Sequence, residues 1–299
     1  MRVLCDALGH QVLLADAGTE DRLGAVAVDV ARDLFGAEGC VAVLSLTRAR
    51  LVRSLHEEQL RAGADLVRTN TSQASPLELR RYGLEDDAFA INLAAAQLAS
   101  AAVDAVPGDG RRRFVLGVVR DLGWDASPQE IEEAVAVQAS ALIAGGVDGV
   151  ALEVAAGTCR GPAFLNGARR AKQEATSAAS TFVFQTGGET PEVLRKLADG
   201  VICYREVAVK DAAEFADALR AANLIGGSRA EDTASLDQRL RALAEETVRP
   251  PIAAARRTDG TPSPVGVPAP KRRASSPAQH RSAPAGTVIH CASRWRHRL

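Results

Sequence analysis

Polar side chains follow a series of short apolar runs, at positions where buried strands are predicted to end. In chain order they are Asp16, Asn70, Arg120 or Asp121, Glu153, Gln185, Cys203 and the segment Gly226-Gly227-Ser228-Arg229. In a (β/α) barrel the carboxyl ends of the parallel strands converge on one site. Carboxylates there would hold an ammonium group by charge-assisted hydrogen bonds, which are stronger than neutral ones. Two carboxylates, a carboxamide and a thiol in one pocket therefore predict a site for a small zwitterionic molecule.

The elements that would position these residues alternate between strand-like apolar runs and helical patterns. Strands are predicted near Val12–Ala15, Asp65–Arg68, Phe114–Val118, Gly149–Glu153, Thr181–Phe184, Gly200–Cys203 and Leu224–Ile225. Helices are predicted near Arg48–Ala62, Leu84–Ala105, Pro128–Ala144, Pro162–Ala175, Pro191–Ala198, Asp211–Ala221 and Leu236–Thr247. Ser127-Pro128 and Thr190-Pro191 are typical helix starts, because Ser or Thr caps the first N–H groups and Pro suits the first turn.

This alternation predicts an α/β fold with right-handed βαβ units and a parallel sheet. About 250 residues is the usual size of a (β/α)8 TIM barrel, which is the fold we predict. Because only seven strands are evident, the barrel is expected to be irregular or one unit short, unless the apolar run Cys40–Leu46 supplies another strand. A doubly wound open sheet is the alternative, although no GxGxxG or P-loop pattern follows any strand.

Three segments carry a family resemblance: LLADAGT (Leu13–Thr19), the stretch from Ala64 to Ala99, and VDGVALEV (Val147–Val154). They resemble the homocysteine S-methyltransferases, zinc-dependent thiol methylases that include betaine– and S-methylmethionine–homocysteine methyltransferases and the first module of cobalamin-dependent methionine synthase. RTNT (Arg68–Thr71) is similar to the family's Glu-Thr-Asn-Thr, with Arg68 in place of the acidic residue. The resemblance implies that Asp16 and Glu153 contact the amino group of homocysteine, and Asn70 is a further candidate for substrate binding.

The resemblance also implies a zinc cofactor, held in the family by three cysteines. Cys203 stands where the first of them is expected, at the end of GVICY. The other two follow a pair of glycines in the family, but here Ser228 and Arg229 follow Gly226-Gly227. Ser is a poor zinc ligand and the Arg guanidinium is a permanent cation that repels metal ions. Zinc is thus expected for the family, whereas the metal motif of this chain is incomplete.

Two functions follow from this comparison. The resemblance implies methyl transfer from an onium or folate donor to the thiol of homocysteine, giving methionine. The thiol would then be activated by zinc bound through unrecognised ligands, or the protein would use another route of activation. The alternative is a catalytically inactive family member that binds an amino acid or an acidic metabolite, with Arg229 replacing the positive charge of the metal.

Composition divides the chain near Val248. Residues 1–248 are rich in Ala, Val and Leu and hold 26 basic and 36 acidic residues, whereas residues 249–299 are rich in Pro, Arg and Ser and hold ten basic residues and one acidic residue. A segment that buries little apolar surface cannot offset its conformational entropy, so the tail is predicted to be disordered. Its basic patches could contact nucleic acid, but a solvated extension is the favoured interpretation.

The remaining signals favour a cytoplasmic protein with small-molecule partners. No run of about 18 apolar residues predicts a membrane span, and the N-terminus lacks the apolar region of a signal peptide. Five cysteines at irregular spacing, Cys5, Cys40, Cys159, Cys203 and Cys291, indicate reduced thiols more than a disulfide framework. Homocysteine, or a similar amino acid, and a methyl donor are the expected partners; nucleic acid and membranes are not.

Overall fold

The computed structural model describes residues 3–107, 110–153, 160–185, 192–206, 218–219, 221–226 and 230–246. By its contacts the chain divides into two units, Met1–Ala254 and Ala255–Leu299. The second unit lies wholly outside the described residues. The predicted domain boundary after residue 248 and the predicted disorder of the tail therefore stay predictions.

The described residues form a parallel sheet of seven strands, and every predicted strand is present. The strands are β1 (Leu13–Leu14), β2 (Leu66–Arg68), β3 (Phe114–Arg120), β4 (Gly149–Glu153), β5 (Ser180–Gln185), β6 (Gly200–Glu206) and β7 (Leu224–Gly226). Consecutive strands pair from β2 to β7, and β7 pairs with β1. Long apolar runs suit such strands because both faces of a parallel sheet are covered.

The two ends of this sheet meet, so the sheet is a nearly closed barrel. A parallel bridge joins Ala15 to Leu66, and the Asp16 amide donates to the Leu66 carbonyl oxygen at 2.9 Å. The predicted barrel is thereby confirmed in its irregular form, with seven strands in the described part of the chain. The alternative of an open, doubly wound sheet is wrong, because it requires two edge strands that stay apart.

Helices surround the barrel. They are α1 (Val3–His10), α2 (Thr19–Gly24), α3 (Val30–Leu34), α4 (Leu44–Thr47), α5 (Ala49–Arg61), α6 (Pro76–Leu79), α7 (Ala88–Ala105), α8 (Pro128–Ala144), α9 (Gly161–Glu174), α10 (Glu192–Leu197) and α11 (Ala230–Glu246). The suggestion that Cys40–Leu46 forms a strand is wrong, since this run forms a 3-10 turn at Val41–Val43 and the start of α4. Its residues are buried among Leu34, Leu79 and their neighbours, and a short run that is apolar on all sides fits a strand or a helix equally well.

The start of α8 confirms the predicted helix signal. The Ser127 hydroxyl accepts from the Glu130 amide, the Glu130 carboxylate accepts from the Ser127 amide, and Pro128 occupies the first turn. This reciprocal capping box satisfies two N–H groups that the helix itself leaves unpaired. The other predicted start, Thr190-Pro191, lies outside the described residues; α10 begins at Glu192.

The barrel interior is apolar at one end and polar at the other. Alternate strand residues, such as Leu116, Phe182 and Ile202, fill the interior, and Leu4 and Leu8 of α1 pack against the same cluster at the amino ends of the strands. A Cβ on Gly149 would lie 2.6 Å from the Phe182 ring, so glycine is required where this ring crosses β4. The apolar filling stops short of the carboxyl ends of the strands, where charged side chains begin.

One helix among the described residues, spanning Glu85–Ala105, has the length and mean hydropathy of a membrane span. It includes α7, whose residues Ile91, Ala95 and Ala99 are buried and which packs against both α5 and α8. Core helices of globular proteins pass the same test of length and hydropathy, so this helix is weak evidence for a membrane span.

Candidate functional site

A cavity of about 260 Å³ opens at the carboxyl ends of the strands. Pockets for drug-sized ligands are typically about 300–1,000 Å³, so this one suits a small metabolite. The turn after β1 and the ends of β2 to β6 supply its wall, which consists of Gly18, Thr19, Glu20, Asp21, Arg68, Thr69, Val118, Arg120, Glu153, Phe184, Tyr204 and Glu206. The wall therefore combines two guanidinium groups with four carboxyl groups and two aromatic rings.

The first of two ion pairs in this region joins Arg68 to Asp16. Arg68 Nε donates to Asp16 Oδ1 at 2.9 Å, and Arg68 Nη2 donates to the Asp16 carbonyl oxygen at 2.8 Å. The Thr19 hydroxyl donates to the second carboxylate oxygen at 2.9 Å. The contact between the ends of β1 and β2 brings these groups together. Asp16 is fully buried and does not line the cavity, so the structure places its carboxylate behind Arg68.

Arg68 is held in place on a second side by an aromatic ring. Its guanidinium carbon lies 5.5 Å from the centre of the Tyr204 ring, a cation–π geometry. Burial by itself would lower the pKa of Arg68, but the neighbouring Asp16 carboxylate and the hydrogen bond to it raise that pKa above its ordinary value. Arg68 is therefore a permanent cation in the wall of the cavity, at the position where the family resemblance leads one to expect an acidic residue.

The second ion pair joins Arg120 to Glu153, which are direct partners in the register of β3 and β4. Arg120 Nε lies 2.5 Å from Glu153 Oε2. Both side chains line the cavity, and the Glu153 side chain is 14% exposed. Of the two carboxylates predicted to contact a substrate amino group, Glu153 is thus in the cavity wall and Asp16 is not.

Glu20 is a cavity residue that the sequence analysis did not single out. Its carboxylate accepts from the Ser72 amide at 2.9 Å and makes a short hydrogen bond with the Ser72 hydroxyl. Burial raises the pKa of Glu20, and the charge of Glu153 acts in the same direction, whereas the Ser72 bonds and Arg120 oppose the shift. Gly18 makes the turn into α2, with φ of +34°, and this turn directs Glu20 toward the cavity.

Asn70 has a local role in the described part of the chain. Its Nδ2 donates to the Val41 carbonyl oxygen at 2.8 Å and to the Ser45 hydroxyl at 3.3 Å. The residue is buried and is not part of the cavity wall. Its Oδ1 has no partner among the described residues. The prediction that Asn70 binds substrate stays a prediction, and the contacts shown here anchor the end of β2 to the segment before α4.

The side chain of Cys203 lies on the outer face of the barrel. Its neighbours Ile202 and Tyr204 belong to the interior cluster, and successive side chains of a strand point to opposite faces. The Cys203 amide donates to Asn223 Oδ1 at 2.9 Å. Burial raises the pKa of the Cys203 thiol, with Arg205 opposing the shift. A thiol of this kind is a weak candidate for a metal ligand, since the thiolate is the ligating form.

The residues described do not fit a three-cysteine zinc site. Cys5 donates weakly to the Asp199 carbonyl oxygen, and Cys40 donates to that of Gln73. Burial raises the pKa of Cys40 to about 11. In the described ranges no three His, Cys, Asp or Glu side chains form a group that could hold a metal ion. Ser228 and Arg229 lie outside those ranges, so their predicted positions stay predictions.

Known proteins agree with this fold and with the resemblance in the sequence. The chain is 27% identical to the methionine synthase of Mycobacterium leprae (strain TN) over 199 residues, which make up 64% of this chain and 16% of that protein. It is 28% identical to the methionine synthase of Mycobacterium tuberculosis (strain ATCC 25618 / H37Rv) over 179 residues, or 58% of this chain and 15% of that one. The chain thus spans only about a sixth of the length of these relatives.

Solved structures match the barrel. The metallated form of the homocysteine methyltransferase MmuM from Escherichia coli superposes with a TM-score of 0.55 at 19% identity, covering 80% of this chain and 99% of that one. Its oxidized form gives a TM-score of 0.55 at 20% identity and covers 76% and 96% of the two chains. At this identity the likeness shows the fold. A family model described as homocysteine S-methyltransferase matches residues 13–228, so the chain belongs to the homocysteine S-methyltransferase family.

Proposed function

We propose that the cavity binds homocysteine or a similar small amino acid. The observation that carries this proposal is the presence of both charge signs in one small cavity wall, with Glu153 beside Arg120. Glu153 Oε2 accepts from Arg120, whereas Oε1 has no donor among the described residues. Oε1 is therefore the acceptor that we assign to the ammonium group of the ligand.

Family membership supports methyl transfer to the thiol of homocysteine, giving methionine, as the reaction of this cavity. The methyl donor would be an onium compound or a folate, and a cytoplasmic location suits such metabolites. Because the described residues do not fit a zinc site, we derive no step through a metal. What the cavity contributes in this proposal is orientation of the amino acid, which by itself lowers the barrier of a two-substrate reaction.

The second candidate is a family member that binds an amino acid or an acidic metabolite and transfers no methyl group. The position of Cys203 favours it, because its thiol lies on the face of β6 opposite the cavity. The pairing of Asp16 with Arg68 favours it as well, because a carboxylate assigned to substrate is already neutralised by the protein. This candidate differs from the first in having no turnover, and its possible ligands include acidic metabolites as well as amino acids.

One experiment distinguishes the two. The purified full chain is incubated with homocysteine and, in separate reactions, S-methylmethionine, betaine or methyltetrahydrofolate, while methionine and zinc per chain are measured. Methionine formation that saturates with homocysteine establishes the methyltransferase. Saturable homocysteine binding by calorimetry, with no methionine from any donor and no bound zinc, establishes the second candidate. Absence of both binding and turnover refutes the proposal.

A further inference from the structure

We infer that Arg68 and Arg120 bind the carboxylate of the ligand and that Asp16 is a positioning residue for Arg68. This inference rests on the proposed function, namely an amino acid ligand in the cavity. The proposed function assigns the ammonium group of the ligand to Glu153, and this inference assigns its carboxylate to the two arginines. It also gives Asp16 a different role from the contact with the substrate amino group that the family resemblance implies.

The hydrogen bonds of Arg68 leave one of its nitrogens available for a ligand. Nε and Nη2 both donate to Asp16, and no acceptor for Nη1 is found in the described ranges. The side chain is 18% exposed and lines the cavity, whereas Asp16 is 0% exposed. Asp16 thus fixes the Nε–Nη2 edge of the guanidinium and is itself out of reach of a ligand. A guanidinium held in this way is pre-organised to receive a carboxylate.

Arg120 offers two further nitrogens to the same cavity. Its Nε is bound to Glu153, while Nη1 and Nη2 have no acceptor within the residues described. Its side chain is 43% exposed. Burial lowers the pKa of Arg120, but Glu153 and Glu20 raise it above its ordinary value, and the charge of Arg68 opposes that rise. The two guanidinium groups line the same small cavity and therefore repel each other. An anion between them would relieve this repulsion.

The charges of the wall determine how a zwitterion would lie. Each arginine is already paired with one carboxylate, so the two pairs together are neutral and would not attract a dianion strongly. The remaining acidic wall residues, Asp21 and Glu206 among them, favour an ammonium group elsewhere in the cavity. One carboxylate on the arginines and one ammonium on Glu153 Oε1 satisfy both sets of groups. The ligand class is therefore an α-amino acid whose side chain carries no negative charge.

The test compares three thiols on the full chain by calorimetry under reducing conditions. They are homocysteine, its decarboxylated analogue 3-aminopropane-1-thiol, and its deaminated analogue 4-sulfanylbutanoate. A hydrogen bond to a charged group corresponds to a factor of about 10–150 in affinity. We expect the decarboxylated analogue to bind at least about 10-fold more weakly than homocysteine for this reason. Equal binding of these two ligands overturns the inference and leaves the proposed function standing.

The variant Arg120→Gln supplies the second arm. Its matched control is Arg170→Met, on α9, where Arg170 has 41% side-chain exposure and pairs with Glu132 outside the cavity. We expect Arg120→Gln to weaken homocysteine and 4-sulfanylbutanoate about 10-fold. Binding of 3-aminopropane-1-thiol should be no weaker, because Glu153 keeps its charge, and circular dichroism spectra should be like those of the control. An equal loss for all three ligands overturns the inference. Binding of 4-sulfanylbutanoate without homocysteine supports the arginine pair and refutes the amino acid ligand, and binding of none refutes both.

Discussion

Replacing Arg68 by Met tests whether Arg68 and Asp16 form one buried unit. The substitution removes two hydrogen bonds, from Nε and Nη2, and leaves Asp16 fully buried with the Thr19 hydroxyl as its remaining side-chain donor. Removing one partner of a buried ion pair costs about 3–5 kcal/mol. With a urea m value of about 3 kcal/mol/M, the unfolding midpoint should fall by about 1–1.7 M.

The control for this prediction is again Arg170→Met, whose ion pairs with Glu132 and Glu174 are exposed. Such pairs contribute about 0–1 kcal/mol, so its midpoint should change by at most about 0.3 M. Adding Asp16→Asn to Arg68→Met should recover more than about 1 kcal/mol, because the buried charge is removed. If Arg68→Met costs no more than Arg170→Met, or if the second change recovers nothing, the reasoning about the buried pair is refuted.

Three further predictions concern buried titratable groups and the cysteine on β6. His56 is fully buried, its ring nitrogens lack partners in the described residues, and burial lowers its pKa. The unfolded chain therefore binds a proton at His56 more readily than the folded chain, and stability falls as the pH drops below about 6.5, the ordinary pKa of histidine. His56→Leu should reduce this loss of stability between pH 7 and 5.5 in urea titrations, whereas the control His10→Gln should not. Burial raises the pKa of Glu20, so the folded chain takes up a proton there and the free energy of unfolding falls as the pH rises above 4.5. Glu20→Gln should make the free energy of unfolding depend less on pH between pH 5 and 7.5. An unchanged dependence on pH would contradict the burial of this charge. Cys203→Ser should leave calorimetric homocysteine affinity within about 2-fold because the thiol faces away from the cavity; a larger loss would place Cys203 in the site.

The barrel was predictable because its strands are buried on both faces. Runs such as Phe114–Val118 are apolar without interruption, a pattern typical of strands in a covered parallel sheet. The strand proposed for Cys40–Leu46 was wrong for the same reason, since a short apolar run carries no period that separates a strand from a helix. Whether this run forms a strand or a helix depends on its packing against residues such as Leu34 and Leu79, and the sequence does not show that packing.

The candidate site was predictable only in part. The strand ends pointed to Glu153, which lines the cavity, although its contact with a substrate stays a prediction. Arg68 was visible as a departure from the family pattern. Its pairing with Asp16 depends on the closure between β1 and β2, which no local pattern reveals. The direction of the Cys203 side chain depends on strand parity, and apolar residues cover both faces of β6, so the sequence could not decide it. Glu20 lies in the first turn of the short helix α2, which carries no periodic signal of burial.

Calorimetric titration of homocysteine into the full chain and into Glu153→Gln tests the central claim, that Glu153 and its neighbours form an amino acid site. Glu132→Gln, on α8 and outside the cavity, is the matched control. The account predicts one homocysteine bound per chain in the unmodified protein and in the control, and binding at least about 10-fold weaker in Glu153→Gln. Equal affinity in all three proteins, or no binding to the unmodified chain, would contradict it.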